Sequence, residues 1–177
     1  MGSYAAMRRR GFVHHTVIVG EPAQDRASLG SGVGVLIDPT ATMEAFVQVD
    51  SGTERPTTIG QESWLMKGVH VGHDAILHGW NELPPGCVVS GWVELGHAVR
   101  CGVGALFKPF VRVGAKARIG MGAVVICDVP PGEVWAGNPA RRISTSPIFK
   151  GDDQWRETLG LLVPDGQEWA PIPSDEY

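Results

Sequence analysis

From Ile59 to Val125 the large apolar positions recur at every sixth residue: Ile59, Leu65, Val71, Leu77, Leu83, Val89, Leu95, Cys101, Phe107, Val113, Ile119 and Val125. The fifth place of each six-residue unit is small: Ser63, Val69, Ala75, Asn81, Cys87, Val93, Val99, Ala105, Val111, Ala117, Ala123 and Val129. Glycine often follows the apolar residue, as at Gly60, Gly72, Gly96, Gly102, Gly114 and Gly120. A half-buried strand alternates with period two and a helix repeats near 3.6, so neither produces this pattern. It predicts a chain that bends every six residues. The large residue fills the middle, and the small one sits where the wall leaves little room. Three such sides close an 18-residue coil, and coils stack through parallel strand hydrogen bonds. The expected fold is an all-β parallel β-helix, with four coils in unbroken register.

Ile37, Met43 and Val49 continue the pattern upstream and add about one coil. The register then slips by four residues across SGTERPTT (51–58), a polar stretch containing Pro56, which reads as a loop pushed out of the wall. The β-helix domain is therefore placed at 37–143. Residues 1–36 form an N-terminal arm, with first-strand character in FVHHTVIVG (12–20). Downstream, Pro130-Pro131 ends the register and GEVWAGNPARRI follows. Residues 144–177 read as an acidic tail. Within it, apolar Trp155, Leu159 and Leu162 behind an aspartate cap predict a short helix near 152–162, before a proline-rich extended arm.

Composition narrows the function classes. No apolar run approaches the ~18 residues of a membrane span, and a cytoplasmic location is the expectation. RRR at 8–10 is the only basic cluster, and alone it does not indicate nucleic acid. The tail carries seven acids against Lys150 and Arg156, whereas the rest of the chain is about neutral. Cys87, Cys101 and Cys127 are widely spaced with no CxxC, which predicts packed thiols and neither a disulfide framework nor a zinc site.

Chemistry concentrates in HVGHDAILH (70–78). His73 falls at the third place of its unit, where side chains face outward, and Asp74 follows it. A carboxylate beside an imidazole raises its basicity and orients it for general-base work. His70, at the sixth place, lies near the same corner, whereas His78 lies on the next side. The competing reading makes all three surface histidines of a repeating scaffold. Residues three apart on an extended chain point to opposite faces, so His70 and His73 are not assigned to a metal. GVG at 102–104 is a repeat glycine pattern without the strand–helix context of a dinucleotide site.

VGEPAQD (19–25), SGTERPTTIG (51–60), LMKGVHVGHDAI (65–76), SGWVELG (90–96) and DVPPGEVWAGNPAR (128–141) together resemble the hexapeptide-repeat acyltransferases, in particular the UDP-N-acetylglucosamine O-acyltransferases. The resemblance implies a left-handed coil, a handedness opposite to that of ordinary parallel crossovers. It also implies a homotrimer with sites in the clefts between subunits. The donor would be an acyl-CoA or acyl-carrier-protein thioester, with no covalently bound cofactor. The acceptor would be a hydroxyl or amine of a sugar or nucleotide sugar. A His followed by an acid, as in the related nucleotide-sugar N-acetyltransferases, makes His73 the base and Asp74 its partner. His70, Lys108 and Arg141 would contact substrate, and Gly137 and Asn138 of AGNPAR the pantetheine of the donor. Three departures accompany the likeness. The resemblance puts a general-base histidine in a segment A-V-H-Q-F, which reads LFKPF (106–110) here, with Lys108 at that histidine's position. Several N-terminal coils of the family are not seen, and the short acidic tail stands where its helical C-terminal domain would be. They keep open an alternative: an inactive trimeric structural or decoration protein, for example on a capsid and so part of a virion, docking through its terminal arms into a larger assembly.

Overall fold

The computed structural model describes residues 11–21 and 32–144. The basic cluster at 8–10, the helix expected near 152–162 and the acidic arm lie outside the described residues. Within them the chain is a parallel β-solenoid with three walls. The first wall stacks Val35–Ile37, Thr57–Ile59, Ile76–Leu77, Glu94–Leu95 and Arg112–Val113. The second stacks Thr42–Met43, Trp64–Leu65, Glu82–Leu83, Arg100–Cys101, Arg118–Ile119 and Val134–Ala136, and ends with Arg141–Ser144 turned antiparallel. The third stacks Ile18–Glu21, Gln48–Asp50, His70–Val71, Val88–Val89, Leu106–Phe107 and Val124–Val125. Each strand pairs with the one 18 residues away over most of the prism, as in Val88↔Leu106 and Glu94↔Arg112. The first strand expected in 12–20 is realised at Ile18–Glu21, against Gln48–Asp50.

The period-six residues point inward. Leu65, Val71, Leu77, Leu83, Val89 and Leu95 are all fully buried, and so are the small fifth-place residues Val69, Ala75, Cys87 and Val93. Burying a leucine or valine side chain in this way stabilises the fold by about 1.5–3 kcal/mol each. Asn81, a fully buried polar residue at a fifth place, is satisfied: its amide donates to the Gly96 carbonyl at 2.7 Å and its oxygen accepts from Gly79 N at 3.0 Å. Cys87 and Cys101 are buried, but Cys127 is exposed, contrary to the expectation of packed thiols. It occupies an outward third place, where the core has no claim on it.

The bends have a single backbone cause. The fourth residue of each unit has positive φ, from Glu62 (52°) through Asp74 (59°), Trp92 (64°) and Phe110 (68°) to Gly122 (62°). It is the third residue of a four-residue turn, where a type II geometry requires that conformation. The glycines after the apolar residue serve another purpose. A Cβ on Gly72 would stand 2.7 Å from Gly91 N in the next coil, so only glycine allows coils to stack this closely there.

Candidate active site

His73 and Asp74 occupy the corner between the third and first walls, in the turn that links His70–Val71 to Ile76–Leu77. The same corner, 18 residues earlier, is where residues 51–56 leave the wall, between Gln48–Asp50 and Thr57–Ile59. The slip in register thus places a loop directly beside the two residues.

The loop wraps the carboxylate. Asp74, fully buried, accepts hydrogen bonds from the backbone N–H of Thr53 (3.0 Å), Glu54 (2.8 Å) and Arg55 (2.8 Å) and from Thr53 Oγ1 (2.7 Å). His73 Nδ1 lies 2.7 Å from Asp74 Oδ2, completing the set. Asp74 N donates to Thr57 Oγ1 at 2.9 Å, which fixes the turn from behind. Burial alone pushes the Asp74 carboxyl up, but the hydrogen bonds from Arg55 N, Thr53 Oγ1, His73 and Glu54 N outweigh it. The carboxyl is held well below the usual carboxylate range.

A group held as carboxylate can only accept. His73 Nδ1 must therefore donate, and a neutral His73 carries its lone pair on Nε2. The imidazole, with its side chain 23% exposed, lies against Gly91, one coil further on. A Cβ there would be 2.7 Å from His73 Nε2 and 2.9 Å from Cε1. The arrangement presents a partly open proton acceptor backed by a partner held in its ionised form, which is the geometry general-base catalysis needs.

The other expected residues fall as follows. His70 stands on the third wall, its Nε2 3.5 Å from the nearly buried carboxylate of Asp50. His78 lies at the far end of the first wall, as expected, with Nε2 2.6 Å from Glu94 Oε1. Lys108 is exposed in the same corner column as Gly72, two coils and about 10 Å along the axis. Gly137 and Asn138 belong to the turn that closes the prism, where the Gly137 carbonyl accepts from Val124 N at 3.0 Å. Arg141 follows, exposed, donating to the Ala140 carbonyl. Within one chain the structure therefore joins His73 to Asp74, and sets Lys108 two coils away and Gly137, Asn138 and Arg141 further along the axis. Sequence reasoning missed Thr53, Glu54, Arg55, Gly91 and Trp92. The available signal was the 18-residue offset, which stacks Gly91 on His73 and Trp92 on Asp74.

A three-walled prism of six-residue turns with a histidine–carboxylate pair at one corner defines a class: the chain belongs to the hexapeptide-repeat acyltransferase family, whose prism is the left-handed parallel β-helix. It is similar to the acyl-(acyl-carrier-protein)–UDP-N-acetylglucosamine O-acyltransferase of Burkholderia lata, 30% identical over 131 residues, covering 72% of this chain and 50% of that protein. The enzyme of the same name from Stenotrophomonas maltophilia is 35% identical over 127 residues, covering 70% of this chain and 48% of that protein. The structure of UDP-N-acetylglucosamine acyltransferase from Campylobacter jejuni superposes with a TM-score of 0.68 at 28% identity, covering 80% of this chain and 58% of that one. The chain spans about half the length of the curated relatives it matches. No protein-family model matches it.

Proposed function

We propose that the protein is an acyltransferase that moves an acetyl or longer acyl group from a CoA or acyl-carrier-protein thioester to a hydroxyl or amine of a sugar or nucleotide sugar. The observation that carries this reading is the His73–Asp74 pair, buried on the carboxylate side and open on the imidazole side. The likeness to acyltransferases named for an acyl-carrier donor and a UDP-sugar acceptor supplies the substrate classes.

In the proposed reaction His73 Nε2 takes the acceptor proton as the acceptor oxygen or nitrogen attacks the thioester carbonyl. The new C–O or C–N bond forms, the C–S bond breaks, and the imidazolium returns the proton to the departing thiolate. Asp74 stays ionised throughout and keeps the ring in the Nδ1–H form. No covalently held cofactor takes part, since the thioester is a substrate. Lys108 replaces nothing in this scheme: the base is His73, and Lys108, Arg141, Gly137 and Asn138 are proposed contacts for the phosphate and pantetheine parts of a donor lying along the prism. His70, held by Asp50, is proposed to meet the acceptor.

A homotrimer is part of the proposal. The third wall turns Val88, Leu106 and Val124 outward, and Leu106, Phe110 and Ile126 are 40%, 49% and 43% exposed, an apolar face suited to burial against a second copy. A cytoplasmic location belongs to the same proposal, in keeping with donors of this kind. The inert structural reading draws no support from these likenesses, and the arms through which it would dock lie outside the described residues.

The test is turnover by the full chain across a panel of acyl-CoA and acyl-carrier thioesters with UDP-sugars and amino sugars. Acyl transfer that falls about 10²–10⁴-fold in His73→Ala supports the reading. Absence of transfer from every thioester, or full activity in His73→Ala, refutes it.

A further inference from the structure

The loop that wraps Asp74 is polar and has little core of its own. Its anchor is a column running along the same corner. Arg55 Nε donates to the Asp74 carbonyl at 2.8 Å. The Arg55 guanidinium carbon stands 5.0 Å from the centre of the Trp92 ring, within cation–π range. The Trp92 ring in turn stacks on Phe110 at 6.0 Å with 15° between the planes. Coil order brings Arg55 and Phe110 to the indole from opposite directions along the axis. The column is also tied to the base by backbone: Trp92 N donates to the His73 carbonyl at 3.0 Å, and Phe110 N to the Gly91 carbonyl at 3.2 Å.

Thr53, Glu54 and Arg55 can all aim their N–H groups at one carboxylate only while the loop keeps its curvature. The loop is tethered at Asp50 and Thr57 by the wall and at Ser51 and Gly52 by hydrogen bonds to Val33 and Gly34; from Thr53 onward the Arg55 side chain is what fastens it to the corner column. We propose that Arg55 and Trp92 are positioning residues: by clamping residues 51–56 onto Asp74 they keep the carboxylate aimed at His73 Nδ1 and so select the tautomer whose Nε2 is free to accept a proton. Neither residue touches the reacting atoms. The inference rests on His73 being the base of the proposed transfer, but the tautomer it concerns is a property of the protein without substrate.

The experiment is two-dimensional proton–nitrogen NMR of the histidine rings at about pH 8, above the ordinary histidine pKa, in the full chain and its variants. The unaltered protein shows His73 as the Nδ1–H form. Released from Asp74, a neutral imidazole reverts towards the Nε2–H form, so that form becomes the larger share in Arg55→Ala and Trp92→Ala. Trp92→Phe, which keeps a flat ring under the guanidinium, retains the Nδ1–H form. Where turnover is measurable, kcat falls about 10- to 100-fold in the two alanine variants, with KM for the thioester nearly unchanged, because a displaced base harms chemistry more than binding. An Nδ1–H share unchanged in both alanine variants overturns the proposal. If Trp92→Ala does not fold, Arg55→Ala and Arg55→Lys carry the test: both lose the Nε contact, and retention of the Nδ1–H form in both overturns it. A tautomer shift in a protein that transfers no acyl group supports the clamp and refutes only the acyltransferase reading.

Discussion

Two histidine–carboxylate pairs border the first wall, His73–Asp74 at the corner before it and His78–Glu94 across its outer face, with nearly the same separation: 2.7 Å and 2.6 Å. Their surroundings differ. Asp74 is sealed from solvent and takes three backbone N–H groups and a hydroxyl besides the imidazole. Glu94 is 29% exposed on the outer face of the wall, with Arg112 Nε 3.7 Å away. Its carboxyl is lowered chiefly by the His78 hydrogen bond, against burial, with smaller help from the charges of His78, Arg112 and Arg55. A short distance alone therefore does not mark a base. A carboxylate whose remaining lone pairs are already occupied by fixed donors can orient an imidazole. A carboxylate shared with exposed surface cations holds it weakly, since exposed ion pairs contribute little.

The largest expected contrast is kinetic. His73→Ala lowers acyl transfer by about 10²–10⁴-fold, whereas His78→Ala leaves it within about twofold, in steady-state assays of the two variants side by side. Equal losses would erase the distinction between the two pairs. Stability comes next. Asp74→Ala leaves the N–H groups of Thr53, Glu54 and Arg55 without their acceptor and costs about 1–3 kcal/mol in urea unfolding. Glu94→Gln costs less than about 0.5 kcal/mol, as expected for a group at the surface.

The same pair sets an acid response. The Asp74 pKa is lower in the folded protein than in the unfolded chain, so its contribution is complete above the ordinary aspartate pKa of about 3.9. It declines as the pH falls through that value towards the folded pKa. Asp74→Asn should flatten the fall of the unfolding midpoint below about pH 4, which equilibrium unfolding across that range measures. A sharper probe of the ring seat is Gly91→Ala. Its Cβ would stand 2.7 Å from His73 Nε2, so the imidazole must move. We expect a kcat loss of about tenfold or more with the fold intact, read by kinetics and circular dichroism together.

The smallest effect belongs to His97, beside the second pair. Burial and then the charge of His78 lower its pKa, and its Nδ1 is buried without a hydrogen-bond partner. The unfolded chain takes up this proton at about pH 6.5 while the folded one resists it, so stability drops as the pH falls below that value. His97→Gln should remove this shallow slope in unfolding midpoints between about pH 7.5 and 5.5.

Much of the prism was legible because its core obeys a strict period. One large and one small inward residue per unit specify a bend and a filled interior, and the walls follow. The bend itself was not legible at the level of residue type. Its fourth place accepts Glu62, Asp74, Trp80, Ala98, Phe110 and Lys116 alike at positive φ, because the stacked coils impose a conformation that these residues do not choose alone. Among the site residues, His73 and Asp74 could be read as adjacent in the chain and outward in the repeat. Lys108, Arg141, Gly137 and Asn138 could be read as exposed, but not as distant from His73, because motif order along a chain does not measure distance along a coiled axis.

What the sequence determined by itself was the repeat, and with it the three walls and the outward place of His73. Local chain geometry and burial of apolar side chains suffice for that. What only tertiary structure decided was which of two equally close histidine–carboxylate pairs has its carboxylate sealed from solvent and enclosed by fixed donors. The donors are backbone N–H groups of a loop some twenty residues earlier in the chain, and beside them an arginine lies over an indole from the next coil. Neither leaves a periodic mark in the sequence, because both act through space, across coils.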